Sequence, residues 1–393
     1  MGSSLIVEIC RVDAVEPHPN ADRLAIATIK GWKTCIRRQE SGEGEFSVGD
    51  LCVYIPPDVV MPFPLADRLG MRNYLKSLGK SAGPHQMDAG RVSVARLRGQ
   101  PSYGMITKLD ILPPRPEGWS LGDDVAAVLG LSKWEPPIVS HDGDTERANP
   151  VFHRYVDLEN YRNFPDLIPD GEPVVVTEKL HGKNCRVGRI LEASETGELA
   201  WTWAAGSHAL RRKEFGIRHK SSGDPDNPVV EEILERSQFW QALDTPGVRE
   251  MILAISQDQH NVIVFGEIFG SGVQDMTYGM TRGQWTFRVF DITVDGSYLP
   301  FAEKVRWCEQ FAVPTVPILF DGPFSAAMVE QLVTGPTTIC PKQAIQGFAG
   351  REGIVITAKE ERPVFHQRRH FPRMALKAIS FEYLERKNGT EFH

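Results

Sequence analysis

The N-terminal part of the chain consists of short apolar runs separated by turn residues, and this pattern constrains the fold most. The runs are Leu5 to Val12, Leu24 to Ile29, Leu51 to Ile55 and Val92 to Leu97. Runs of this length, rich in β-branched residues and bounded by turn clusters, are typical of strands rather than helices. Two such clusters are Pro17 to Leu24 and Ser47 to Asp50. The pattern predicts a small β-barrel, and small Greek-key barrels commonly bind oligonucleotides.

The rest of the chain requires a second domain, because 393 residues are too many for one ordinary core. A segment rich in Pro, Asp and aromatic residues, which includes Trp134 to Pro137, has the character of a linker. After it, β-branched runs alternate with helix-like stretches, which predicts a mixed α and β domain. We therefore predict a barrel domain over 1–130, a linker over 131–160 and a second domain over 161–393.

Composition places the chain among soluble globular proteins, with 41% hydrophobic and 24% charged residues. No run approaches about 18 apolar residues, and Met1 to Leu5 lacks the basic and apolar regions of a secretion signal. We therefore expect a cytoplasmic protein with no membrane partner. Six cysteines without a Cys-x-x-Cys pair argue against a zinc ribbon and against a disulfide framework.

Net charge alone does not favour a nucleic-acid partner, since the formal charge is −7 and nucleic-acid-binding domains are usually basic. Basic residues do cluster locally at Arg91 to Arg98, at Arg211 to Lys213 and within 368–387. A positive groove on an acidic body is compatible with these clusters, and so is a solvated surface at each of them.

The segment Glu178 to Asn184 holds the first candidate for chemistry. It follows a strand-like Val-Val-Val-Thr run, which places Lys179 at a strand end beside a turn. A lysine with an ordinary pKa of about 10.4 is almost fully protonated at pH 7. A nucleophilic lysine therefore needs desolvation or a nearby cation, such as Lys183 or a bound metal, to lower its pKa. An isolated Lys-x-x-Gly is weak evidence and most often has a structural role.

Four further segments follow in order and strengthen the hypothesis of a nucleophilic lysine. They are Val264 to Glu267, Phe287 to Asp291, Arg351 to Ile356 and Ala375 to Lys377. Together they add two acids, a stacking surface and a cation to the lysine. Transfer of a nucleotide from ATP requires positioning and neutralisation of phosphate charge rather than elaborate acid and base chemistry. The ordered set is therefore more specific than any of its parts.

The ordered set resembles the motifs of the covalent nucleotidyltransferases, the superfamily of ATP-dependent ligases and RNA capping enzymes. His181 and Asn184 resemble the RNA ligases, whereas DNA ligases and capping enzymes typically have Asp in place of His181. The preceding barrel, with Pro17 to Leu24, Phe46 to Leu51 and Arg96 to Gly99, resembles the N-terminal OB-fold of type-five RNA ligases. The resemblance implies an α+β chain, in which an OB-fold β-barrel precedes an adenylyltransferase domain of mixed, mainly antiparallel sheets with flanking helices.

The resemblance also implies a site for ATP and for Mg²⁺ or Mn²⁺. Lys179 would be the adenylated nucleophile, Glu267 would bind the ribose hydroxyls and Phe287 would stack on adenine. Glu352 would organise the lysine and the metal, and Lys377 would hold the α-phosphate.

Other residues would complete this site. His181 and Asn184 would act near the phosphates or in the sealing step, and Glu178 would belong to the nucleotide site. Asp275 and Tyr278 follow the Glu267 strand, where a loop on the rim of the cleft and a simple turn explain them equally well.

Two positions depart from the family pattern. Where the family usually has Ser-Arg after the nucleophile, this chain has Gly206 to Arg211, and Arg211 is the candidate for the arginine that contacts ribose or phosphate. The last motif has Ile379 where RNA ligases often carry a second lysine. One cation is therefore missing or is supplied by another residue, such as Arg373.

The implied function is that of an ATP-dependent RNA ligase, which joins 3′-OH and 5′-phosphate ends through a lysyl-AMP intermediate. We expect a monomer that acts on RNA or a nicked RNA/DNA duplex, at nicks with RNA on the 3′-OH side. One alternative is an RNA-binding protein, because Pro17 to Leu24 resembles a turn of tRNA-binding OB domains. A DNA ligase or a capping-type nucleotidyltransferase is the other alternative, and His181 argues against both.

Overall fold

The computed structural model describes residues 6–38, 44–78, 88–135, 144–194, 197–221, 230–345, 347–367 and 369–386. The chain divides into two compact units, which span 2–137 and 138–393. The division lies inside the segment predicted as a linker. Part of that segment is folded into the second unit, where Phe152 is buried and the Tyr155 hydroxyl donates to Asp291 Oδ2 at 2.6 Å. Phe152 is therefore a core residue of that unit, and Tyr155 packs against the same cluster.

Short strands dominate the first unit, as the apolar runs predict. The strands are β1 (Glu8–Arg11), β2 (Ala14–Pro17), β3 (Leu24–Ile29), β4 (Trp32–Arg37), β5 (Leu51–Ile55), β6 (Val59–Pro62), β7 (Ala89–Arg91), β8 (Ala95–Leu97), β9 (Gln100–Ser102), β10 (Met105–Thr107) and β11 (Ser132–Lys133), and the helix is α1 (Phe63–Arg68). The sheets have the orders β1-β5-β10, β2-β3-β4 and β11-β6-β7, and β8 pairs with β9. Within each strand pair the direction is antiparallel.

The turn between β2 and β3 is fixed to the β8-β9 hairpin through a buried histidine. His18 Nε2 lies 3.1 Å from the carbonyl oxygen of Leu97, and His18 Nδ1 accepts from the backbone N–H of Asn20 at 3.1 Å. The Asn20 side chain donates to the carbonyl oxygen of Arg98 at 3.2 Å. These contacts order a polar turn that has few apolar side chains of its own.

The second unit contains two larger sheets with helices packed beside them. Its strands are β12 (Glu159–Asn160), β13 (Pro173–Lys179), β14 (Lys183–Ala193), β15 (Leu199–Ser207), β16 (Arg211–Arg212), β17 (Phe215–Ser221), β18 (Val230–Arg236), β19 (Val262–Gly270), β20 (Trp285–Val294), β21 (Ser297–Tyr298), β22 (Ile318–Pro323), β23 (Gly353–Ala358), β24 (Val364–His366), β25 (Arg369–Phe371) and β26 (Ala375–Ile379). Its helices are α2 (Gln238–Gln241), α3 (Val248–Ser256), α4 (Phe301–Gln310), α5 (Ala326–Val333) and α6 (Phe381–Leu384).

The two larger sheets have the orders β12-β26-β23-β13-β22 and β16-β15-β14-β19-β20-β21. Only the short β12-β26 pair among the described ladders of these sheets is parallel. The prediction of mixed, mainly antiparallel sheets with flanking helices is therefore confirmed. In the parts of the chain that the structure describes, no helix combines the length and apolarity needed to cross a bilayer.

Helix α3 covers one face of the six-stranded sheet. Its buried residues Val248, Met251, Ile252 and Ile255 recur at helical spacing and form one apolar stripe. This stripe packs in one cluster with residues of β14, β19 and β20. The helix ends at Ser256 and is capped by Gln257, whose left-handed backbone, with φ of 48°, allows its N–H to bond to the carbonyl oxygen of Leu253.

A β-bulge interrupts β20 at Phe290. Phe265 of β19 lies opposite Asp291, and the next residue, Gly266, lies opposite Val289. Phe290 is therefore an extra residue without a cross-strand partner. Before the bulge Val289 faces α3, and after it Ile292 faces α3, so the alternation of side chains shifts by one residue.

Candidate active site

A cavity of about 340 Å³ in the second unit is lined by residues of both larger sheets. Its apolar lining includes Val175 and Val355 from one sheet and Phe290 from the other. Its polar lining includes five of the residues that the motifs predict, namely Glu178, Lys179, Asn184, Glu267 and Lys377. Apolar walls with a few convergent polar groups are the usual composition of a site for a small organic ligand.

Lys179 ends β13 and is paired with a carboxylate. Its Nζ donates to Glu352 Oε1 at 2.5 Å. The two residues meet because Lys179 lies opposite Gly353 in the β13-β23 ladder, and Glu352 immediately precedes Gly353. Burial lowers the pKa of Lys179, but the charges of Glu352 and Glu267 outweigh burial and raise this pKa above its ordinary value. The lysine is therefore held as an ammonium, which must lose a proton before it can act as a nucleophile.

The cation beside Lys179 is Lys377. The sequence suggested Lys183 for this role. Burial and the charge of Lys179 lower the pKa of Lys377. Lys183 and Asn184 are consecutive residues of β14, so their side chains point to opposite faces of the sheet. Lys183 Nζ donates to Gln238 Oε1 at 3.4 Å. Lys377 therefore offers a partly desolvated positive charge to an anion in the cavity.

Glu267 and Asn184 face each other across the β14-β19 ladder. Burial raises the pKa of Glu267 to about 8, the charge of Lys179 opposes this rise, and the charge of Glu352 adds to it. At neutral pH the Glu267 carboxyl therefore keeps a proton and can both donate and accept hydrogen bonds. This capacity suits the hydroxyl groups of a sugar.

His181 does not lie on the cavity wall, although it follows the lysine by two residues. Its side chain is 8% exposed and lies behind Glu352, with Nδ1 at 3.7 Å from Glu352 Oε2. The Tyr383 hydroxyl lies 2.8 Å from Nδ1, and Nε2 forms a hydrogen bond with Asp275. Because burial lowers the pKa of His181 against the opposing charges of Glu352 and Asp275, the ring is neutral. It then donates from Nε2 to Asp275 and accepts at Nδ1 from Tyr383.

Phe287 is not a stacking residue of the cavity, which corrects the sequence prediction. Its side chain is 1% exposed and belongs to the core between β20 and α3. Phe287 and Phe290 are three residues apart on β20, and the alternation of side chains along the strand places them on opposite faces. Phe290 lines the cavity.

Arg211 is diverted from the cavity, which corrects a second prediction. Its Nη1 and Nη2 donate to the two oxygens of Glu192, each at 2.7 Å, and its Nε lies 2.5 Å from Glu146 Oε2. Two carboxylates thus neutralise the guanidinium. From the same segment, His208 lines the cavity instead, with Nε2 at 3.5 Å from Asp157 Oδ1. The sequence could have indicated His208, because it follows Ser207 in the segment where the family usually has Ser-Arg.

The side chain of Glu178 is also committed elsewhere, although the residue contributes to the cavity wall. Its Oε1 accepts from the Thr337 hydroxyl at 2.5 Å, and its Oε2 accepts from the backbone N–H and hydroxyl of Thr338 at 2.8 and 2.6 Å. Glu178 therefore anchors the loop at Thr337 and Thr338. Its carboxylate is not a free acceptor for a ligand.

Arg373 does not replace the missing cation at Ile379. It lines the cavity, but its side chain is 2% exposed and is paired with Asp291 at 2.7 Å and with Glu361. Two carboxylates therefore neutralise it, and Nη1 also donates to the Tyr155 hydroxyl at 2.8 Å. Ile379 itself is a buried core residue.

Two buried acceptors near the lysine have no hydrogen-bond partner among the described residues. They are Asn184 Oδ1 and Glu352 Oε2. In the described part of the chain, no group of three or more His, Cys, Asp or Glu side chains is arranged to hold a metal. Mg²⁺ sites often combine one or two carboxylates with phosphate oxygens and water. The residues present therefore fit a divalent cation that is bound largely through a phosphate ligand.

Comparisons with known proteins agree with this architecture. A family model described as RNA ligase matches residues 172–379, which is more than half of the chain. A model described as an OB-fold domain matches residues 6–109 and confirms the prediction for the first domain. No curated protein matches the sequence.

Solved structures of one RNA ligase, from Naegleria gruberi, are similar over almost the whole chain. Its complex with PPi has a TM-score of 0.66 and 24% sequence identity, and the match covers 97% of this chain and 98% of that chain. A mutant with ATP and Mn has a TM-score of 0.64 and 25% identity, with 97% and 98% coverage. A mutant with AMP and Mn has a TM-score of 0.66 and 24% identity, with the same coverage. The similarity extends over both units.

Proposed function

The chain belongs to the RNA ligase family, and we propose that it is an ATP-dependent RNA ligase that joins 3′-OH and 5′-phosphate ends through a lysyl-AMP intermediate on Lys179. The observation that carries this proposal is the Lys179 amine on a cavity wall, 2.5 Å from Glu352 Oε1. Lys377 and Glu267 line the same cavity. The Naegleria gruberi ligase with ATP and Mn, or with AMP and Mn, supports the choice of nucleotide and metal.

In the first step, Lys179 Nζ attacks the α-phosphorus of ATP. A nitrogen–phosphorus bond forms, the bond to the oxygen that bridges the α- and β-phosphates breaks, and pyrophosphate leaves. Glu352 Oε1 is the acceptor placed to take the proton that the ammonium must lose. Lys377 offsets the negative charge that develops on the α-phosphate. Glu352 and Asn184 would hold a divalent cation, which screens phosphate charge when bound.

In the second step, an oxygen of the RNA 5′-phosphate attacks the same phosphorus. The nitrogen–phosphorus bond breaks, Lys179 regains a proton, and AMP becomes joined to the RNA end by a phosphoanhydride bond. The RNA 3′-OH then attacks the 5′-phosphate and loses its proton, and AMP leaves. Both displacements are in line and depend mainly on positioning and charge neutralisation.

The substrate that we propose is a nicked duplex, either RNA or an RNA/DNA hybrid, with RNA on the 3′-OH side of the nick. The OB-fold unit supports a nucleic-acid partner. Sealing assays on nicked duplexes test this proposal when ribose or deoxyribose is placed at the two 3′-terminal positions of the nick. Equal sealing of an all-DNA nick would contradict the RNA preference.

The lysyl-AMP proposal is tested by incubation with α-labelled ATP and Mg²⁺ or Mn²⁺, followed by denaturing electrophoresis. We expect label on the wild type and none on Lys179→Ala. Lys342→Ala is a matched control because Lys342 is exposed and does not line the cavity, and it should label like the wild type. Label on Lys179→Ala would refute the assignment of the nucleophile. Absence of label from both ATP and GTP would favour an RNA-binding protein without transferase activity.

A further inference from the structure

Four side chains behind the nucleophile form a closed ring of contacts. His181 bonds to Asp275 through Nε2 and to Tyr383 through Nδ1. Asp275 Oδ2 accepts from Arg386 Nε at 2.9 Å. Arg386 closes the ring, since its Nη1 donates to the Tyr383 carbonyl oxygen at 2.7 Å and its guanidinium lies 3.6 Å from the Tyr383 ring centre.

The ring joins three segments that are far apart in the sequence. His181 belongs to the turn after β13, Asp275 to the loop after β19, and Tyr383 and Arg386 to α6 and the residues that follow it. The loop after β19 makes a second contact with the turn, because the backbone N–H of His181 donates to the Tyr278 hydroxyl at 2.7 Å. The turn that follows Lys179 is therefore held from two sides.

The imidazole of His181 is the part of the ring that lies against the nucleophile pair. Its Nδ1 lies 3.7 Å from Glu352 Oε2, while the other oxygen of Glu352 accepts from Lys179. Both side-chain surfaces are nearly buried, at 8% for His181 and 6% for Glu352. Rotation of the imidazole would remove the surface against which the Glu352 carboxylate rests.

We propose that Asp275 and Tyr383 are positioning residues for lysine adenylylation, because they fix the His181 ring against Glu352, which in turn places Lys179 for attack. This inference rests on the proposed function and adds two residues to it. Asp275 and Tyr383 both bond to His181, and neither lines the cavity. Misplacement of a reacting group by about 1 Å costs on the order of 100-fold in rate. Loss of either contact should therefore slow the chemical step rather than weaken ATP binding.

The test is single-turnover adenylylation of the full chain, measured as a function of ATP concentration for the wild type, Asp275→Asn and Tyr383→Phe. Tyr383→Phe removes the hydroxyl that bonds to Nδ1, and Asp275→Asn weakens the bond to Nε2 because it replaces a charged acceptor with a neutral one. Both variants keep nearly the same shape. We expect the limiting rate to fall about 10- to 100-fold, with little change in the half-saturating ATP concentration. The double variant should lose little more than the slower single variant, since both act on one ring.

Two matched controls make the same chemical changes elsewhere. Asp258→Asn breaks an exposed pair with Arg189, in which the aspartate side chain is 59% exposed. Tyr161→Phe removes a hydroxyl from a half-buried tyrosine outside the cavity lining. Both controls should adenylylate at the wild-type rate.

The outcomes separate the inference from the proposal on which it rests. Unchanged limiting rates in both Asp275→Asn and Tyr383→Phe would overturn the positioning role and leave the ligase function standing. A lower final amount of label with an unchanged rate constant would also overturn it, because that result indicates partial unfolding only. Failure of the wild type to take label would overturn the proposed function, and this inference with it. If Asp275→Asn does not fold, Tyr383→Phe alone decides.

Discussion

Replacement of Glu267 by glutamine should remove a specific dependence of stability on pH. Burial raises the pKa of this carboxyl from 4.5 to about 8, against the opposing charge of Lys179 and with the added charge of Glu352. The folded state therefore binds a proton more tightly than the unfolded state does. The stability that this proton contributes is complete below the unfolded pKa of 4.5 and is lost as pH rises to about 8.

The magnitude follows from the size of the shift. Each unit of pKa difference corresponds to about 1.4 kcal/mol. The shift from 4.5 to about 8 therefore changes the free energy of unfolding by at most about 5 kcal/mol. Glutamine has the shape of the protonated carboxyl and does not titrate. We therefore expect the free energy of unfolding of Glu267→Gln minus that of the wild type to rise by about 1 kcal/mol per pH unit between roughly pH 5.5 and 7.5. This difference should stop rising above about pH 8.

Urea unfolding at several pH values measures this difference, with tryptophan fluorescence as the probe, since five of the eight tryptophans lie in the second unit. Trp203, Trp240 and Trp285 all pack in or against its main core cluster. Glu198→Gln is the matched control, because it makes the same chemical change at an exposed position. A constant difference for Glu267→Gln across the same window would show that Glu267 is ionised throughout, and the reasoning from burial would fail. Carbon-13 titration of the carboxyl would check the pKa directly.

Arg211→Ala should lower the free energy of unfolding by about 1 to 3 kcal/mol, because Glu192 and Glu146 lose their shared partner, while the adenylylation rate stays at the wild-type value. A folded Arg211→Ala protein that fails to take label would instead place Arg211 at the nucleotide. Phe287→Leu should lower thermal stability by about 1 kcal/mol without a change in the KM for ATP, whereas Phe290→Leu should raise that KM because Phe290 lines the cavity. A raised KM for Phe287→Leu with an unchanged KM for Phe290→Leu would contradict the conclusion that Phe290, and not Phe287, faces the cavity.

The sequence predicts the strands that carry the reactive groups because local order is enough to define them. Lys179 and Glu267 each lie within or at the end of an apolar strand, and the same holds for Lys377. Glu352 immediately precedes such a strand. Strand pairing then brings Lys179, Glu267 and Lys377 to one cavity and places Glu352 beside Lys179. The motif order thus contains most of the information about which backbone segments meet.

The sequence does not predict which side chains remain available, since that depends on partners from distant segments. Arg211 matches a motif position, yet Glu192 and Glu146 occupy its guanidinium. Asp275 belongs to an ordinary-looking turn, and its contact with His181 joins residues 94 positions apart. No local pattern encodes such a pairing.

The bulge at Phe290 has a consequence for how this strand can change during evolution. Val289 and Ile292 both face α3 although they are three positions apart, because Phe290 is an extra residue between them. Deletion of the Phe290 codon would leave Val289 opposite Gly266, Asp291 opposite Phe265 and Ile292 opposite Val264, so every remaining side chain would keep its face. The core of the sheet therefore does not need the extra residue. The bulge adds one side chain to the cavity wall, where Phe290 and Asp291 both lie, and we expect selection for the bulge to act through the cavity rather than through the core.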